Sequence, residues 1–224
     1  MVPRSGYLAK VRELCSKYNV LWIADEIQTG LGRTGKMLCV EHENVRPDVV
    51  VLGKALSGGM MPVSAVLCND DVMLTLKPGT HGSTYGGNPL ACRYVSTSRT
   101  LTLTLTLTLT HDCRVAMEAL QVIIDEKLCE RSARLGEVFG SNVKATCSYP
   151  WVHDIRGKGL FWAIEIDPNY KESATNICYS MLKKGLLAKQ THENIIRFAP
   201  PLVISEELVR TKRTHTHRHT RDRA

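Results

Sequence analysis

Two polar residues of this 224-residue chain stand where apolar runs end. Asp25 follows Leu-Trp-Ile-Ala at 21–24, and Lys54 follows Val-Val-Val-Leu-Gly at 49–53. Such runs predict buried strands, and open α/β sheets bind ligands outside the carboxyl ends of their strands. An amine and a carboxylate in one crevice are the two groups that pyridoxal phosphate (PLP) needs. The lysine bonds to its aldehyde, and the acid keeps its ring nitrogen protonated.

Both residues also have ordinary structural explanations. A lysine after a strand is often a surface residue, and aspartate is a preferred helix N-cap. The surrounding sequence favours the chemical role. Ala-Leu-Ser-Gly-Gly follows Lys54, and its glycines allow the backbone to approach a ligand closely. An isolated carboxylate at the end of a buried strand needs a cationic partner. We therefore predict Lys54 as a catalytic residue and Asp25 as a cofactor ligand.

Several spaced segments carry a family resemblance. They are ADEIQTG at 24–30, GRTG at 32–35, GKALSGG at 53–59, HGSTYGGNP at 81–89, RGKGL at 156–160, GLLAK at 185–189 and IRFAPP at 196–201. From residue 6 to 201, with one interruption, the chain resembles the ornithine aminotransferases, which are class III, fold-type I PLP-dependent aminotransferases. The order and number of these segments are far more specific than a single glycine motif.

The resemblance implies further site residues. Gln28 matches the residue that hydrogen-bonds the phenolic oxygen of PLP. Ser83 and Thr84 match a loop that reaches across a homodimer, where Thr84 binds the phosphate of the partner's cofactor. Arg197 matches the arginine that takes a substrate carboxylate. Helix N-capping by Ser83 and Thr84, and a structural salt bridge at Arg197, remain alternatives.

The resemblance also implies the reaction and its setting. The δ-amino group of L-ornithine would pass through PLP to 2-oxoglutarate, giving glutamate semialdehyde and glutamate, with Lys54 as the proton shuttle. Enzymes for acetylornithine and 4-aminobutyrate share the aspartate, glutamine and lysine, so only the blocks around Lys189 and Arg197 favour ornithine. The implied location is the mitochondrial matrix, although no targeting segment is visible.

The pattern of apolar runs predicts an α/β fold. Strands rich in Val, Ile and Leu alternate with helices, which is typical of a mostly parallel sheet with flanking helices. We predict a partial PLP-binding large domain at 1–120. A smaller α+β C-terminal domain, with its connecting helix, is predicted at 121–209.

Individual elements are predicted in the second half of the chain. A single helix is expected over 115–141, with Gly136 and Gly140 loosening its end. A further helix is expected over 172–184, with Gly185 as its stop, and a strand over 195–198.

Two segments depart from this plan. Residues 101–110 are five Leu-Thr repeats, a strand pattern on its face. A low-complexity insertion at 94–114 is the better interpretation, because its removal joins two parts of one helix. The tail at 210–224 is basic and His-rich; metal binding is one interpretation, and a disordered terminus is the favoured one.

Composition excludes several classes of function. No apolar run approaches the about 20 residues that span a bilayer. The eight cysteines contain no C-x-x-C pair, so no metal site is predicted. The tail holds six of the 29 Lys and Arg and one of the 22 Asp and Glu, which leaves a charge of +2 on the rest. It contains no aromatic residues for base stacking, so no specific nucleic-acid binding is expected.

Three hypotheses follow. The chain is a partial or mispredicted ornithine aminotransferase, because the resemblance covers only the C-terminal portion of the family. Alternatively, it is a non-catalytic remnant that folds poorly or binds an intact subunit through the dimer surface. The third hypothesis is nucleic-acid binding through the tail alone.

Overall fold

The structure is a computed structural model that describes residues 2–60, 62–82 and 111–210. These residues form two compact units. Of the described residues, the N-terminal unit comprises 5–31, 38–60, 62–82 and 111–127, and the C-terminal unit comprises 2–4, 32–37 and 128–210. Ser83, Thr84, the Leu-Thr repeat and the tail from 211 lie outside the described residues.

The N-terminal unit is built on a three-stranded sheet. Its elements are α1 (Tyr7–Lys17), β1 (Ile23–Asp25), a 3-10 helix (Cys39–Glu43), β2 (Val49–Leu52), a second 3-10 helix (Lys54–Ser57), β3 (Ala65–Cys68), α2 (Asp70–Met73) and α3 (His111–Asp125). The strand order is β1-β2-β3. The first two strands are parallel, as predicted, whereas β3 is antiparallel to β2. The described residues between β2 and β3 hold only a short 3-10 helix, and a parallel crossover normally needs a full α-helix.

One carboxylate fixes the approach to β1. Asp48 Oδ2 accepts hydrogen bonds from the Trp22 backbone N–H and from Arg12 Nη1, both at 2.7 Å. The Trp22 hydrogen bond, followed by that from Arg12, lowers the pKa of Asp48. Asp48 therefore ties α1 to the residues that lead into β1 and into β2.

The C-terminal unit packs helices on one face of an antiparallel sheet. Its elements are α4 (Leu128–Thr146), β4 (Val152–Lys158), β5 (Phe161–Ile166), α5 (Ala174–Lys183), β6 (Lys189–Thr191) and β7 (Ile195–Phe198), with strand order β4-β5-β7-β6. The core is formed by Trp162, Ile164, Ile166, Ala174, Ile196 and Phe198. Alternate residues of β5 and β7 enter it, which leaves the intervening residues on the opposite face.

One helix prediction is wrong, and one strand was not predicted. The helix predicted over 115–141 is two helices, α3 and α4, because Lys127 adopts a left-handed conformation (φ 50°) between them. The short strand β6 was not predicted, since Lys-Gln-Thr shows no apolar alternation. Pairing with β7, and not local sequence, makes this segment a strand.

Glycines of α4 allow unusually close packing. A Cβ on Gly136 would lie 2.1 Å from the backbone oxygen of Gly159, and one on Gly140 would lie 2.1 Å from the Trp162 ring. The Trp162 indole N–H also donates to the Gly159 carbonyl at 2.8 Å. Both glycines were expected to loosen the end of the helix. Instead, α4 continues to Thr146, and its glycines hold it against the β4–β5 turn.

No helix within the described residues is long and apolar enough to span a membrane.

Gly136→Ala should destabilise the full chain by about 1–3 kcal/mol. The gain of about 1 kcal/mol in helix propensity is smaller than the cost of displacing the backbone at Gly159. Urea denaturation measures the change, and Ser141→Ala, at an exposed position of α4, is the matched control. An unchanged or increased stability of Gly136→Ala would contradict this packing.

Asp48→Asn should lower stability by about 1–2 kcal/mol at neutral pH, because charge-assisted hydrogen bonds are weakened. The lowered pKa of Asp48 means that its contribution is complete above about pH 5 and is lost as the pH falls through the folded-state pKa. The difference in melting temperature from wild type should therefore shrink at acid pH. Glu118→Gln, at an exposed position of α3, is the control. A difference in melting temperature that does not change with pH would refute the stabilising role of the Asp48 carboxylate.

Candidate functional site

The carboxyl ends of β1 and β2 carry the two residues on which the predicted chemistry depends. Asp25, the last residue of β1, is in register with Val51 of β2. Since the strands are parallel, Lys54 follows at the same end of the sheet. A rise of about 3.3 Å per residue puts Lys54 at most about 10 Å further along than Val51. The structure therefore brings Asp25 and Lys54 to one edge.

Lys54 occupies a strained position beside a cavity. Its φ of 45° is left-handed, a conformation that costs a residue with a Cβ about 1–2 kcal/mol and is concentrated at functional sites. The exposed lysine lines a cavity of about 480 Å³, together with Ser57, Gly59 and Ser64 among others. This volume is in the range of small-molecule sites. A primary amine on the wall of such a cavity fits the aldehyde end of PLP.

Asp25 is exposed and does not line that cavity. Its Oδ1 accepts a hydrogen bond from the Ile27 backbone N–H at 3.0 Å, so one carboxylate oxygen stabilises the turn that follows β1. A carboxylate oxygen can accept more than one hydrogen bond, and Oδ2 has no hydrogen bond within the described residues. The acid therefore retains acceptor capacity for a protonated ring nitrogen.

Glu26 holds the turn that carries Gln28, a role that the sequence analysis did not assign. It is only 2% exposed. Its Oε1 accepts the Val40 N–H at 2.9 Å, and its Oε2 accepts the hydroxyl of Thr29. Gln28 lies exposed on this turn. The signal for Glu26 is an acid among apolar residues, which must find donors once it is buried.

The predicted phosphate ligands, Ser83 and Thr84, lie outside the described residues. Their roles stay predictions.

Arg197 lies in the C-terminal unit, on the sheet face opposite the helices. Its neighbours Ile196 and Phe198 enter the core, while Arg197 itself is half-buried. Strand pairing aligns Arg156, Ala163, Arg197 and Lys189 in one line across all four strands. Directly opposed residues share a face, so this line places three cations together. We call Arg156, Arg197 and Lys189 the basic row.

The three cations of the basic row differ in their partners. Arg156 Nη1 donates to Asp154 at 2.7 Å and to Glu165, and the hydrogen bond to Asp154 is the largest cause of its raised pKa. Its charge is thus compensated within the protein. Among the described residues, neither Arg197 nor Lys189 forms an ion pair. The structural salt bridge considered for Arg197 is therefore not formed within the described part of the chain.

Arg33 supports the segment that follows Arg197. In the sequence it stood out only as part of the GRTG segment at 32–35. Its Nη1 donates to the carbonyl oxygens of Pro200, at 2.5 Å, and of Leu160, at 3.3 Å. Its own carbonyl accepts the Leu160 N–H and the Ser132 hydroxyl. Burial lowers the pKa of Arg33. An arginine that donates to two backbone carbonyls fixes both chain segments, which is a structural role.

Comparison with known proteins gives the family. The chain matches the aminotransferase class-III family over residues 1–112 and 110–217. It is 55% identical over 210 residues to the mitochondrial ornithine aminotransferase of Drosophila melanogaster. The matched region covers 94% of this chain and 43% of that protein. The chain thus spans less than half the length of this relative.

Solved structures agree on the fold. An ornithine aminotransferase from Plasmodium yoelii superposes with a TM-score of 0.81 at 47% identity, covering 96% of this chain and 51% of that one. An acetylornithine aminotransferase from Elizabethkingia anophelis has a TM-score of 0.80 at 48% identity, covering 95% and 48%. The predicted α/β, partial fold-type I architecture is confirmed. By sequence and by fold, this chain belongs to the class-III aminotransferases, a family of PLP-dependent enzymes.

Proposed function

We propose that this chain carries the PLP-handling and carboxylate-binding part of an ornithine aminotransferase. The enzyme would transfer the δ-amino group of L-ornithine to 2-oxoglutarate, giving glutamate and glutamate semialdehyde, which we place in proline biosynthesis. The observation that carries the proposal is the shared edge of Asp25 and Lys54, with Lys54 on the wall of a cavity. The similarity to ornithine aminotransferases supports it.

Each residue contributes a separate function. PLP, when bound, supplies an electron sink for the carbon that exchanges its amino group. Asp25 would pair with the ring nitrogen and keep it protonated, since a carboxylate there favours the cationic form. The Nζ of Lys54 would hold the cofactor through its aldehyde and, once released, carry a proton between the two carbons that exchange it.

The remaining predicted ligands complete the site. Gln28 would donate to the phenolic oxygen of PLP from the turn that Glu26 fixes. Ser83 and Thr84 would bind a cofactor phosphate, which requires a homodimer if the loop serves the partner's site. Arg197 would bind a substrate carboxylate through its planar guanidinium, which suits two parallel hydrogen bonds.

The chain spans less than half the length of the fly relative, so the proposal concerns a longer enzyme. The chain spans 43% of the fly protein, and we propose that it is equivalent to the C-terminal portion of such an enzyme. We place that enzyme in the mitochondrial matrix, because the fly relative is named as mitochondrial. The alternative is a non-catalytic portion of a class-III aminotransferase. Similarity to an acetylornithine enzyme at 48% identity keeps that substrate as a second candidate.

Adding PLP to the full chain should produce a near-visible absorbance band that Lys54→Ala abolishes. Borohydride reduction of the wild-type mixture should attach the cofactor to Lys54, as detected by peptide mass spectrometry. Lys77→Ala removes another exposed lysine of the N-terminal unit and should retain the band. A band that persists in Lys54→Ala would remove the basis of the proposal.

Turnover with L-ornithine, acetylornithine and 4-aminobutyrate as amino donors then separates the enzymatic alternatives. Preference for L-ornithine supports the proposed substrate. Preference for acetylornithine supports the second candidate. A Lys54-dependent band without turnover of any donor supports the non-catalytic alternative.

Arg197→Gln should raise the KM for 2-oxoglutarate at least tenfold, because a charge-assisted pair to a carboxylate is lost. Its melting temperature should stay close to that of wild type, since Arg197 forms no ion pair within the described residues. Lys183→Gln, at the exposed end of α5, is the control. A large loss of stability with an unchanged KM would identify a structural arginine instead.

A further inference from the structure

Two cations of the basic row face each other directly. Lys189 of β6 and Arg197 of β7 are register partners in an antiparallel pair. Directly opposed residues in such a pair have Cβ atoms about 4.5–5.5 Å apart, and like charges at this spacing destabilise the sheet. Neither side chain has an acidic partner within residues 2–60, 62–82 and 111–210.

Arg156, the third cation of the row, is compensated by acidic side chains of the protein. Arg156, on the edge strand β4, is paired with Asp154 and with Glu165 of the neighbouring strand. Glu165 lies diagonally across from Arg197, yet its carboxylate is engaged by Arg156. Asp154 and Glu165 therefore compensate the Arg156 end of the row, whereas Arg197 and Lys189 have no acidic partner among the residues that the structure describes.

A small side chain lies next to Arg197 in this line of register partners. Ala163 is the residue between Arg156 and Arg197 in the row, and its methyl group is the smallest side chain there. Lys189 is exposed, and Arg197 is half-buried. A carboxylate placed over Arg197 would meet a planar guanidinium with the ammonium group of Lys189 beside it, so both cations could share one anion.

We propose that Lys189 is a second carboxylate-binding residue, acting with Arg197 on one carboxylate of a dicarboxylate substrate. This inference rests on the proposed function, because it deepens the role given there to Arg197. A bound carboxylate offsets the repulsion between Lys189 and Arg197, and this favours the liganded state. A ligand without an anionic group at this position does not offset the repulsion and therefore binds more weakly. Lys189 is thus a specificity-determining residue for the amino acceptor.

Binding of glutarate, a non-reacting dicarboxylate, tests this directly by calorimetric titration of the full chain. Lys189→Gln should weaken glutarate binding about five- to tenfold, between the effect of an exposed ion pair and that of a buried charge-assisted hydrogen bond. Lys189→Arg should restore most of the affinity. Lys183→Gln, which removes an exposed charge of α5, should leave it unchanged. Where turnover is measurable, the KM for 2-oxoglutarate should rise in Lys189→Gln with little change in kcat.

A double-mutant cycle and a stability measurement separate ligand binding from a structural role. Lys189→Gln combined with Arg197→Gln should lose less affinity than the product of the two single losses, because both residues hold the same carboxylate. Without ligand, Lys189→Gln should be as stable as wild type or more so, since a repulsive pair is removed.

Three results would overturn the inference: equal glutarate affinity in Lys189→Gln and wild type, full multiplicative losses in the cycle, or no glutarate binding by wild type. The proposed function is judged separately. A Lys54-dependent PLP band with no effect at Lys189 leaves the proposed function standing and removes this inference. Glutarate binding that depends on Lys189, without a Lys54-dependent PLP band, supports the carboxylate-binding role of Lys189 and removes the proposed function.

Discussion

The parallel pairing of β1 with β2 is the constraint on which the candidate chemistry depends. Parallel strands end at the same edge, so the residues that follow them are neighbours in space even when they are distant in sequence. The register of Asp25 with Val51 therefore brings an acid to the edge where Lys54 begins a 3-10 helix. An antiparallel pairing of the same two strands would have placed the two groups at opposite ends of the sheet.

The C-terminal unit depends on a different constraint, which is the close approach of backbone segments. Gly136 and Gly159 permit contact between α4 and the β4–β5 turn that a Cβ would prevent. Trp162 fills the space above Gly140, and its indole N–H reaches the Gly159 carbonyl. This packing buries one face of the antiparallel sheet. The basic row is consequently confined to the other face, where a carboxylate can reach it.

Sequence patterns recovered a large part of this architecture. The runs at 49–52 and 195–198 became strands with the predicted bounds, because β-branched apolar residues fit a buried pleated surface. The helix predicted over 172–184 is α5 (Ala174–Lys183), and Gly185 ends it with φ 76° as expected. The two failures have different causes. Strand β6 depends on its pairing with β7, which local composition does not report. The helix break lies at Lys127, where the backbone is left-handed although no proline or glycine marks the position.

The sequence by itself determined the family and its PLP dependence, through the spaced segments that resemble the class-III aminotransferases. It also predicted Lys54 and Asp25 as the reactive pair, because an amine and an acid after two apolar runs are local signals of residue type and spacing. Only the tertiary structure decided which charges remain uncompensated. Arg156, Arg197 and Lys189 look alike in the sequence, and strand register gives Arg156 two acids while it sets the other two against each other. Glu26 likewise became a structural acid only when its burial forced it to find donors. Charge compensation is a property of distances across the fold, and residue order does not contain those distances.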